Sequence, residues 1–465
     1  MQRWWRYWFA DGGRRSTAIL RIGIAIAVWM ILDRMQGAWP ANAPGAPEPP
    51  EVYHPIGIWM LFGRSPPSNA VIDVLWVVAR ISTVAMFVGA FSRVSTALSF
   101  VSTLALVSVS YGGAPGWSHP FNVVMLAQLA FLGARGGDTL SIDALVRKRR
   151  GLPAENRPHA YQWSIRLVQL AVAVMFASGA FHKLVQGGFT LDWALSDNLR
   201  HQLLVRFDLA GQPRSAIADW LIDDVWRYRT AALLNLLTQL VPLAACFLVR
   251  RPILRAACGA FFVIETLALG FVMELWNLWW IPLAVVFVDW DALTRAPAPG
   301  AAATTGPLPT RIFIIAFAVY HLATAFVPRI DQKLNTYPFS SFPMFASIRA
   351  RKPYSEHLPY SLASSSFEAL SPAPVNADLY PWLDHAYRRT YSERRPDELR
   401  KRLAAILADA RFLDARLAGM RIYYTIFEAP AYPAPARIER KPIAVIGELD
   451  GETFRSLLGT AKRNG

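Results

Sequence analysis

The chain has few of the residues that support disulfide or metal chemistry. It contains only two cysteines, Cys246 and Cys258, and each lies inside an apolar run. It has no CxxC pair and no cluster of histidine and cysteine, so the sequence predicts neither a disulfide-stapled fold nor a metal site. It also lacks a glycine-rich phosphate loop, a dinucleotide-binding fingerprint, a GxSxG elbow and an HExxH motif, and so gives no indication of the enzyme classes that these motifs mark.

Acidic residues are scarce relative to basic ones. Lysine and arginine number 48 against 33 aspartate and glutamate residues, which gives a formal net charge of +15. A charge of this size is found in nucleic-acid-binding proteins, but here the arginines lie mostly in short connections between apolar runs rather than in one basic stripe. The sequence therefore predicts no nucleic-acid partner and favours arginines that orient membrane helices.

What the chain does have is an excess of apolar side chains. Hydrophobic residues make up 54% of it, the mean hydropathy is +0.25, and there are 17 tryptophans. One soluble core could not bury this much apolar surface, so the composition predicts a polytopic membrane protein whose main partner is the lipid bilayer. Apolar runs of spanning or near-spanning length lie at about 16–33, 70–90, 95–112, 120–135, 164–185, 229–249, 254–273, 275–290 and 311–328. The fourth and eighth are short, so we expect an all-α membrane bundle of about eight or nine transmembrane helices.

Basic clusters indicate how this bundle is oriented. They lie at residues 3–15, at Arg93, and at residues 147–150 and 250–255. All four fall on one side of the membrane if the N-terminus is cytoplasmic, because cytoplasmic loops are enriched in lysine and arginine. The N-terminal stretch has no small-residue cleavage site, so we interpret it as the lead into a first spanning helix rather than as a removed signal peptide. This orientation predicts that Lys183 and His119 both lie near the exterior surface.

Lys183 stands at the end of the apolar run 164–185, in the sequence His182-Lys183, and is followed by Asp192-Trp193. A lysine at a membrane boundary is partly desolvated, which disfavours the charged form and makes a neutral amine available as a base. The alternative is that the side chain only extends its charge to the lipid headgroups, as boundary lysines commonly do. Position alone leaves both interpretations open.

Three other titratable residues require an explanation. His119 precedes Pro120, ahead of the run 120–135. A histidine at such a position is more often a helix-start or surface residue than a catalytic one. His119 is a candidate because the predicted orientation places it on the same membrane face as Lys183. Arg80 and Glu265 lie within predicted spans, so each is expected to face the bundle interior or a wet cavity, as part of a structural interhelical ion pair or of a functional site. For glutamine and asparagine residues in the spans, interhelical hydrogen bonding is the favoured role.

Three segments together resemble the membrane domain shared by vitamin K-dependent gamma-carboxylases and their bacterial relatives, the HTTM proteins. They are WSHPFNVVMLAQLAFL, GGDTLSIDAL and AVMFASGAFHKLVQGGFTLDWALSDNL, and the likeness spans roughly residues 10–290. The resemblance implies a multi-pass protein of the bacterial inner membrane in which Lys183 matches the catalytic lysine and His119 matches a functional histidine. The same segments and the spans around them contain the possible supporting residues, which are His182, Glu265, Arg80, Trp117, Asp192 and Trp193.

The chemistry that this resemblance implies uses a reduced quinone, either vitamin K-like or a menaquinol, together with O2 and CO2 and no metal. An unprotonated lysine would deprotonate the quinol, and its oxygenation and epoxidation would drive carboxylation of a glutamate or similar side chain, presented by a peptide or protein on the exterior face. The sequence departs from the family in two places. His182 replaces the first lysine of a Lys-Lys pair, and Glu265 stands at a position that is often histidine, which weakens the case for full carboxylation.

The predicted organisation has four parts. Residues 1–291 form the carboxylase-like membrane domain, 292–310 a Pro/Ala-rich linker, 311–329 the last transmembrane helix, and 330–465 a small extracytoplasmic α+β domain. In that domain, helical patterns lie near 377–391 and 396–413 and strand-like runs at 421–428 and 443–449. Its start, NTYPFSSFPMF, is either a loop lying over the membrane site or plain interface packing. Two other functions stay open, a noncatalytic scaffold that binds a partner through this domain and a transporter.

Overall fold

A computed structural model gives the fold of the protein. It describes residues 2–10, 13–38, 55–63, 66–112, 119–153, 158–209, 213–293, 306–327, 336–342, 344–369, 420–434 and 439–449. Over these ranges most of the chain is helical, and a small antiparallel sheet follows the last helix in sequence.

The helical part as described contains fourteen α-helices. They are α1 (Gln2–Trp8), α2 (Arg14–Ala38), α3 (Asn69–Val88), α4 (Ser92–Gly112), α5 (Asn122–Phe131), α6 (Ile142–Arg149), α7 (Gln162–Gln186), α8 (Asp192–Leu195), α9 (Asn198–Leu204), α10 (Ala216–Ile222), α11 (Val225–Ala244), α12 (Pro252–Met273), α13 (Trp290–Leu293) and α14 (Leu308–Phe326). Three 3-10 helices, Gly57–Leu61, Pro158–Ala160 and Leu278–Phe287, and a π-helical stretch, Val205–Leu209, complete the set.

Six helices in the described ranges are long and apolar enough to cross a membrane. They are Arg14–Gln36 within α2, Asn69–Val88, Ser92–Gly112, Gln162–Gln186, Pro252–Met273 and Leu308–Phe326. Each corresponds to one of the apolar runs found in the sequence, which supports the multi-pass membrane character predicted from composition. The expected total of eight or nine spans stays a prediction.

The other three apolar runs take different forms. The run 120–135 gives α5, which has only 10 residues, as its short length predicted. The run 275–290 forms a 10-residue 3-10 helix, Leu278–Phe287, that contains Pro282, a residue without the N–H that a regular helix needs. The run 229–249 gives α11, which is 20 residues long but carries arginine and amide side chains among its apolar ones.

Helix α7 is the most buried of the six apolar helices and lies at the centre of the bundle. It packs against α5, α11 and α14. Small residues such as Ala171, Ala177, Gly179 and Ala180 let neighbouring helices approach its backbone closely. The last turn of α7, which carries Lys183, is therefore surrounded by protein on several sides.

Two aspartates hold the N-terminal ends of spanning helices from a distance. Asp143, in α6, accepts hydrogen bonds from the backbone N–H groups of Phe91 and Ser92 at the start of α4, both at 2.8 Å. Asp291, in α13, does the same at the start of α2, accepting from the N–H of Ser16 at 2.8 Å. A carboxylate at this position satisfies free N–H donors and complements the helix dipole. The GGDTLSIDAL segment, which contains Asp143, therefore has a structural role.

The C-terminal region contains a three-stranded antiparallel sheet in the order β1 (Tyr360–Ala369), β2 (Met420–Ala429) and β3 (Glu439–Leu449). The pairing of β1 with β2 joins Tyr360 to Ala429 and Ala369 to Met420. Strands β2 and β3 confirm the strand-like runs at 421–428 and 443–449, whereas β1 was not predicted. The predicted helices at 377–391 and 396–413, and residues 294–305 of the predicted linker, lie outside the described residues.

Candidate functional site

The side chain of Lys183 points into the bundle rather than to its surface. Its exposed fraction is 2%, so the amine does not extend to the headgroup region. The Nζ atom donates hydrogen bonds to Asn235 Oδ1 and, at 3.0 Å, to Gln239 Oε1. It also lies 4.4 Å from the centre of the Trp193 ring, over its face. The amine thus has two amide oxygens and one aromatic face as its close partners.

Glu265, on α12, lies on the far side of the same two amides. Its Oε1 accepts hydrogen bonds from Asn235 Nδ2 at 2.5 Å and from Gln239 Nε2 at 3.1 Å. Its Oε2 accepts from Thr238 Oγ1 at 2.6 Å. The carboxylate is 3% exposed, so its charge has to be balanced inside the protein. The ionic partner that the sequence left open for Glu265 is therefore Lys183, reached through two amides.

We refer to Lys183, Trp193, Asn235, Thr238, Gln239 and Glu265 as the lysine cluster. The two amides are oriented by their neighbours, because each directs its oxygen at an amine and its NH2 group at a carboxylate. Helix spacing makes this possible, since the polar residues of α11 follow one another at i, i+3 and i+4 and so share one face. The predicted role of the amides in the spans, interhelical hydrogen bonding, is confirmed for this pair.

A glycine lets α7 and α11 come together at this point. Gly179 lies one turn before Lys183, and a Cβ atom added to it would lie 3.2 Å from Gln239 Oε1 and 3.5 Å from the carbonyl oxygen of Phe342. The distance to Gln239 is tighter than most Cβ contacts, whereas the distance to Phe342 is an ordinary van der Waals contact. Glycine therefore permits the close packing that positions Gln239.

His119 lies at the start of the turn that leads into α5, and it is half-buried. Its Nδ1 is 3.3 Å from Ser340 Oγ, and the same hydroxyl accepts a hydrogen bond of 2.7 Å from Asn122 Nδ2. The next carbonyl along the chain, that of Pro120, accepts hydrogen bonds from the indole N–H groups of Trp279 at 2.9 Å and Trp280 at 2.6 Å. The histidine is thus held on a rigid turn.

Residues 336–342 and 344–349, which we refer to as the cover segment, connect His119 to the lysine cluster. Ser340 contacts His119, and the Phe342 ring packs 5.7 Å from the imidazole, centre to centre. The Phe342 carbonyl lies beside Gly179, and the Phe345 carbonyl accepts a hydrogen bond of 2.9 Å from Trp193 Nε1. His119 and Lys183 therefore belong to one region at the same end of the bundle, joined through the cover segment.

The cover segment contains the described residues of NTYPFSSFPMF, for which a loop over the membrane site and interface packing were the two interpretations. Tyr337, Ser340, Ser341 and Phe342 are all buried. The ring of Phe342 also lies 5.9 Å from that of Trp280, so the segment packs between the His119 turn and the end of α7. It lies over the lysine cluster and packs against it at the same time.

The remaining residues proposed from the sequence lie elsewhere. His182 turns away from the lysine cluster, because its Nε2 is 2.9 Å from the carbonyl oxygen of Ala325 in α14. Arg80 hydrogen-bonds to Gln36 and lies 5.0 Å from the Trp29 ring, between α3 and α2. Asp192 is half-buried at the start of α8 and makes none of the hydrogen bonds of the lysine cluster. Trp117 lies outside the described residues.

Two of the six residues of the lysine cluster are partly exposed at the outside of the bundle. Asn235 and Thr238 are half-buried, whereas Lys183, Gln239 and Glu265 are buried. Around these two residues the outer face is apolar, with exposed side chains from both α11 and α12, namely Leu234, Leu237, Phe261 and Ile264. The half-buried edge of the lysine cluster therefore borders an apolar outer face formed by α11 and α12.

A second polar cluster attaches the C-terminal region to the end of the bundle, and sequence analysis missed it. The carboxylate of Asp197, with a side chain 2% exposed, accepts hydrogen bonds from Tyr228 Oη at 2.6 Å and from His357 Nδ1 at 2.9 Å. Next to it, Arg200 donates to the carbonyl oxygens of Pro430 at 2.8 Å and Ala434 at 3.1 Å. The partners are far apart in the chain, so no local pattern could have indicated them.

His201 belongs to this junction as well. Its Nδ1 donates to the carbonyl oxygen of Arg349 at 2.5 Å, and its ring stacks on Tyr360 at 5.4 Å. Burial lowers the pKa of His201 to about 4, so the ring is neutral at pH 7.

No protein-family model, curated protein or solved structure matches this chain. The resemblance carried by the sequence segments is therefore an expectation, and what the site can do rests on its geometry.

Proposed function

We propose that the protein is an integral membrane enzyme in which Lys183 acts as the base toward a lipid-soluble reduced quinone. The observation that carries this proposal is the position of the amine. It is buried, it is linked through two amides to a buried carboxylate, and one of those amides, Asn235, lies at an apolar outer face of the bundle. A membrane-soluble acid such as a quinol can reach such a group without crossing water.

The residues present fit a quinol. Lys183 lies on the face of Trp193, which offers aromatic surface to a flat ring. Asn235 and Thr238, the half-buried members of the lysine cluster, supply hydrogen-bonding groups for a phenolic oxygen. Lys183, Trp193, Asn235 and Thr238 would hold the head of the quinol, with its tail along the apolar outer face of α11 and α12.

The cluster also provides what proton abstraction needs. When Lys183 takes a proton, the new ammonium is balanced by Glu265, and the two amides keep both groups in place without moving. Lys183 acts as the base in the state in which its amine is neutral. Trp193 lies over the amine, and the surrounding protein excludes water, which would stabilise the ammonium. When bound, the quinol supplies the electrons with which O2 is activated to a base strong enough for carboxylation.

The finer part of the proposal is carboxylation of a glutamate side chain with CO2. His119 supports it, because the imidazole lies at the same end of the bundle on a turn pinned by two tryptophans and can hold a carboxylate or carry a proton there. A peptide that presents the glutamate would approach beside the cover segment, from the side where the C-terminal sheet lies.

The test is reconstitution of the full chain in lipid with a reduced naphthoquinone, O2 and labelled bicarbonate, with a glutamate-rich peptide. Oxidised quinone product is measured separately from peptide label. Lys183→Met should abolish both products, and the double variant Lys183→Met with Glu265→Gln should fold like the native protein and remain inactive. Lys148→Ala, which changes an exposed lysine of α6, is the matched control and should keep native rates.

The separate readouts distinguish the parts of the proposal. Quinone product without peptide label supports the base role of Lys183 and removes carboxylation of that peptide. Unchanged quinone product in Lys183→Met overturns the enzyme proposal and favours the scaffold alternative, for which residues 330–465 would be required and Lys183 would not.

A further inference from the structure

A cleft of about 670 Å³ lies beside the His119 turn, and none of its lining residues belongs to the lysine cluster. Its walls come from the last turns of α2 and α4, the residues after α12, the start of the 3-10 helix Leu278–Phe287, and Arg206. The volume is within the range of roughly 300–1,000 Å³ that is usual for binding sites of small molecules. No role has been given to this cleft above.

The floor of the cleft is aromatic. The rings of Tyr111 and Phe121 are stacked, 5.9 Å apart with an angle of 7° between their planes. Trp279 packs edge-on against Phe121 at 5.1 Å, and its indole N–H is bonded to the Pro120 carbonyl. These side chains are buried and held by one another, so the floor is preformed.

The rim of the cleft carries two charges of each sign. Asp33 and Arg34 are adjacent and exposed in the last turns of α2. Arg206 donates through Nε to the Met273 carbonyl and through Nη2 to the Glu274 carbonyl, at 3.2 Å for the second, which fixes its guanidinium at the cleft. A ligand that matches this rim has one cationic and one anionic group close together.

Glu274 occupies a position where glycine is the usual residue. It caps α12 in the left-handed conformation, with a φ of +54°, and residues with a Cβ atom rarely adopt it. Its carboxylate is held in place by the indole N–H of Trp276 at 2.7 Å. A side chain kept at an unfavourable backbone position and aimed by a neighbour points to a function for its carboxylate.

The position of the cleft relative to a membrane follows from the helices that end beside it. Three of the six membrane-spanning candidates, Arg14–Gln36, Ser92–Gly112 and Pro252–Met273, have their last residues within a few positions of the cleft. The ends of spanning helices lie in the headgroup layer, where tryptophan and tyrosine are enriched. Headgroups are therefore the groups present at this depth in the highest concentration.

We propose that this cleft binds the headgroup of a phospholipid that carries a primary amine next to its phosphate. Asp33 and Glu274 face the ammonium, Arg34 and Arg206 face the phosphate, and the first part of the acyl chains lies on the aromatic floor. A primary ammonium donates hydrogen bonds to carboxylates, which a quaternary ammonium cannot do, so ethanolamine headgroups are preferred over choline headgroups. An anionic headgroup without an amine leaves Asp33 and Glu274 without a cation. This inference does not depend on the proposed function.

The experiment is native mass spectrometry of the delipidated full chain, titrated with phosphatidylethanolamine, phosphatidylcholine and phosphatidylglycerol of identical acyl chains. One ethanolamine lipid should bind at about a tenfold lower concentration than either of the others. Glu274→Gln should remove this preference while leaving binding of the choline lipid unchanged. Asp219→Asn, which changes an exposed aspartate of α10 paired with Arg214, is the matched control and should keep the preference.

A second variant separates loss of the ligand from loss of the fold. Glu274→Gly removes the carboxylate but suits the left-handed backbone, so it should unfold at the same or a higher temperature than the native chain and still lose the ethanolamine preference. Equal binding of the three lipids by the native chain, or an unchanged preference in both Glu274 variants, would overturn the proposal. Preferential retention of phosphatidylglycerol would overturn it as well, since that result assigns the cleft to anions only.

Discussion

Lys183 and Glu265 lie on different helices and are joined by the same two side chains, Asn235 and Gln239, each of which accepts from the amine and donates to the carboxylate. The ionic groups are thus held apart by a layer of amides rather than in direct contact. This arrangement keeps each charge next to a dipole of the right sign while leaving the amine facing Trp193. It accounts for two buried ionisable groups without a direct salt bridge between them.

Removal of one member of this pair should be more damaging than removal of both. Glu265→Ala leaves the ammonium of Lys183 buried without its counter-charge, at an expected cost of about 3–5 kcal/mol in the free energy of unfolding. Adding Lys183→Met should recover most of that loss. The measurement is denaturation in detergent of the two single variants and the double variant; additive losses would show that the two side chains do not interact.

Gly179 should tolerate no larger side chain. Alanine normally stabilises a helix relative to glycine by up to about 1 kcal/mol, but here its Cβ would lie only 3.2 Å from Gln239 Oε1. Because Gln239 makes hydrogen bonds on both sides, it cannot shift freely. We expect Gly179→Ala to gain nothing in thermal stability and to lower the activity assigned to Lys183, and Gly179→Leu to prevent folding. A stabilised Gly179→Ala variant with native activity would contradict the packing described.

The attachment of the C-terminal region should weaken in mild acid. The pKa of His201 is lowered by burial to about 4 in the folded protein, against 6.5 for an unperturbed histidine, so protonation favours the unfolded state. Its contribution is fully present above pH 6.5 and falls as the pH drops toward 4, by on the order of 3 kcal/mol in total. His201→Phe keeps the stacking on Tyr360 and should flatten this dependence. Melting temperatures between pH 4 and pH 7 provide the measurement; parallel curves for the two proteins would rule out His201 as the titrating group.

Asp197 should be more important for docking of the C-terminal region than for the bundle itself. Asp197→Ala removes the acceptor shared by Tyr228 and His357 and leaves the buried Tyr228 hydroxyl without this partner, at an expected cost of about 1–3 kcal/mol. The effect should appear as faster proteolysis between residues 344 and 369, with the helical circular dichroism retained. Asp208→Ala, at an exposed pair with Arg214, is the control. Equal cleavage rates in both variants would place the anchor elsewhere.

Several features of the fold could be predicted because they depend on neighbouring residues. The six apolar helices follow from run length alone, and the short runs at 120–135 and 275–290 were identified as such. Strands β2 and β3 followed from their alternation of apolar and polar residues. Strand β1 was missed, since its stretch of small and hydroxyl-bearing residues, Ser361–Ser366, has no apolar alternation.

The candidate site was predictable only in part. Lys183 could be singled out because a lysine inside an apolar run is rare, and Trp193 because the family segment contains it. Thr238 and Phe342 could not, although the polar spacing of Asn235, Thr238 and Gln239 along α11 is a signal that a search for one-sided polar faces would find. His182, adjacent to Lys183, was predicted as a possible supporting residue, and the helix turns it toward Ala325.

The six apolar helices and strands β2 and β3 of the C-terminal region could be predicted from the amino-acid sequence, because apolar length and periodicity act locally along the chain. Which polar groups meet depends on how the helices pack. The contacts that build the site join residues distant in sequence. They link Lys183 through amides with Glu265, Asp197 with His357, and the cover segment with both His119 and Gly179. Such contacts exist because burying a charge or a donor requires a partner, and helix packing determines which partner is within reach.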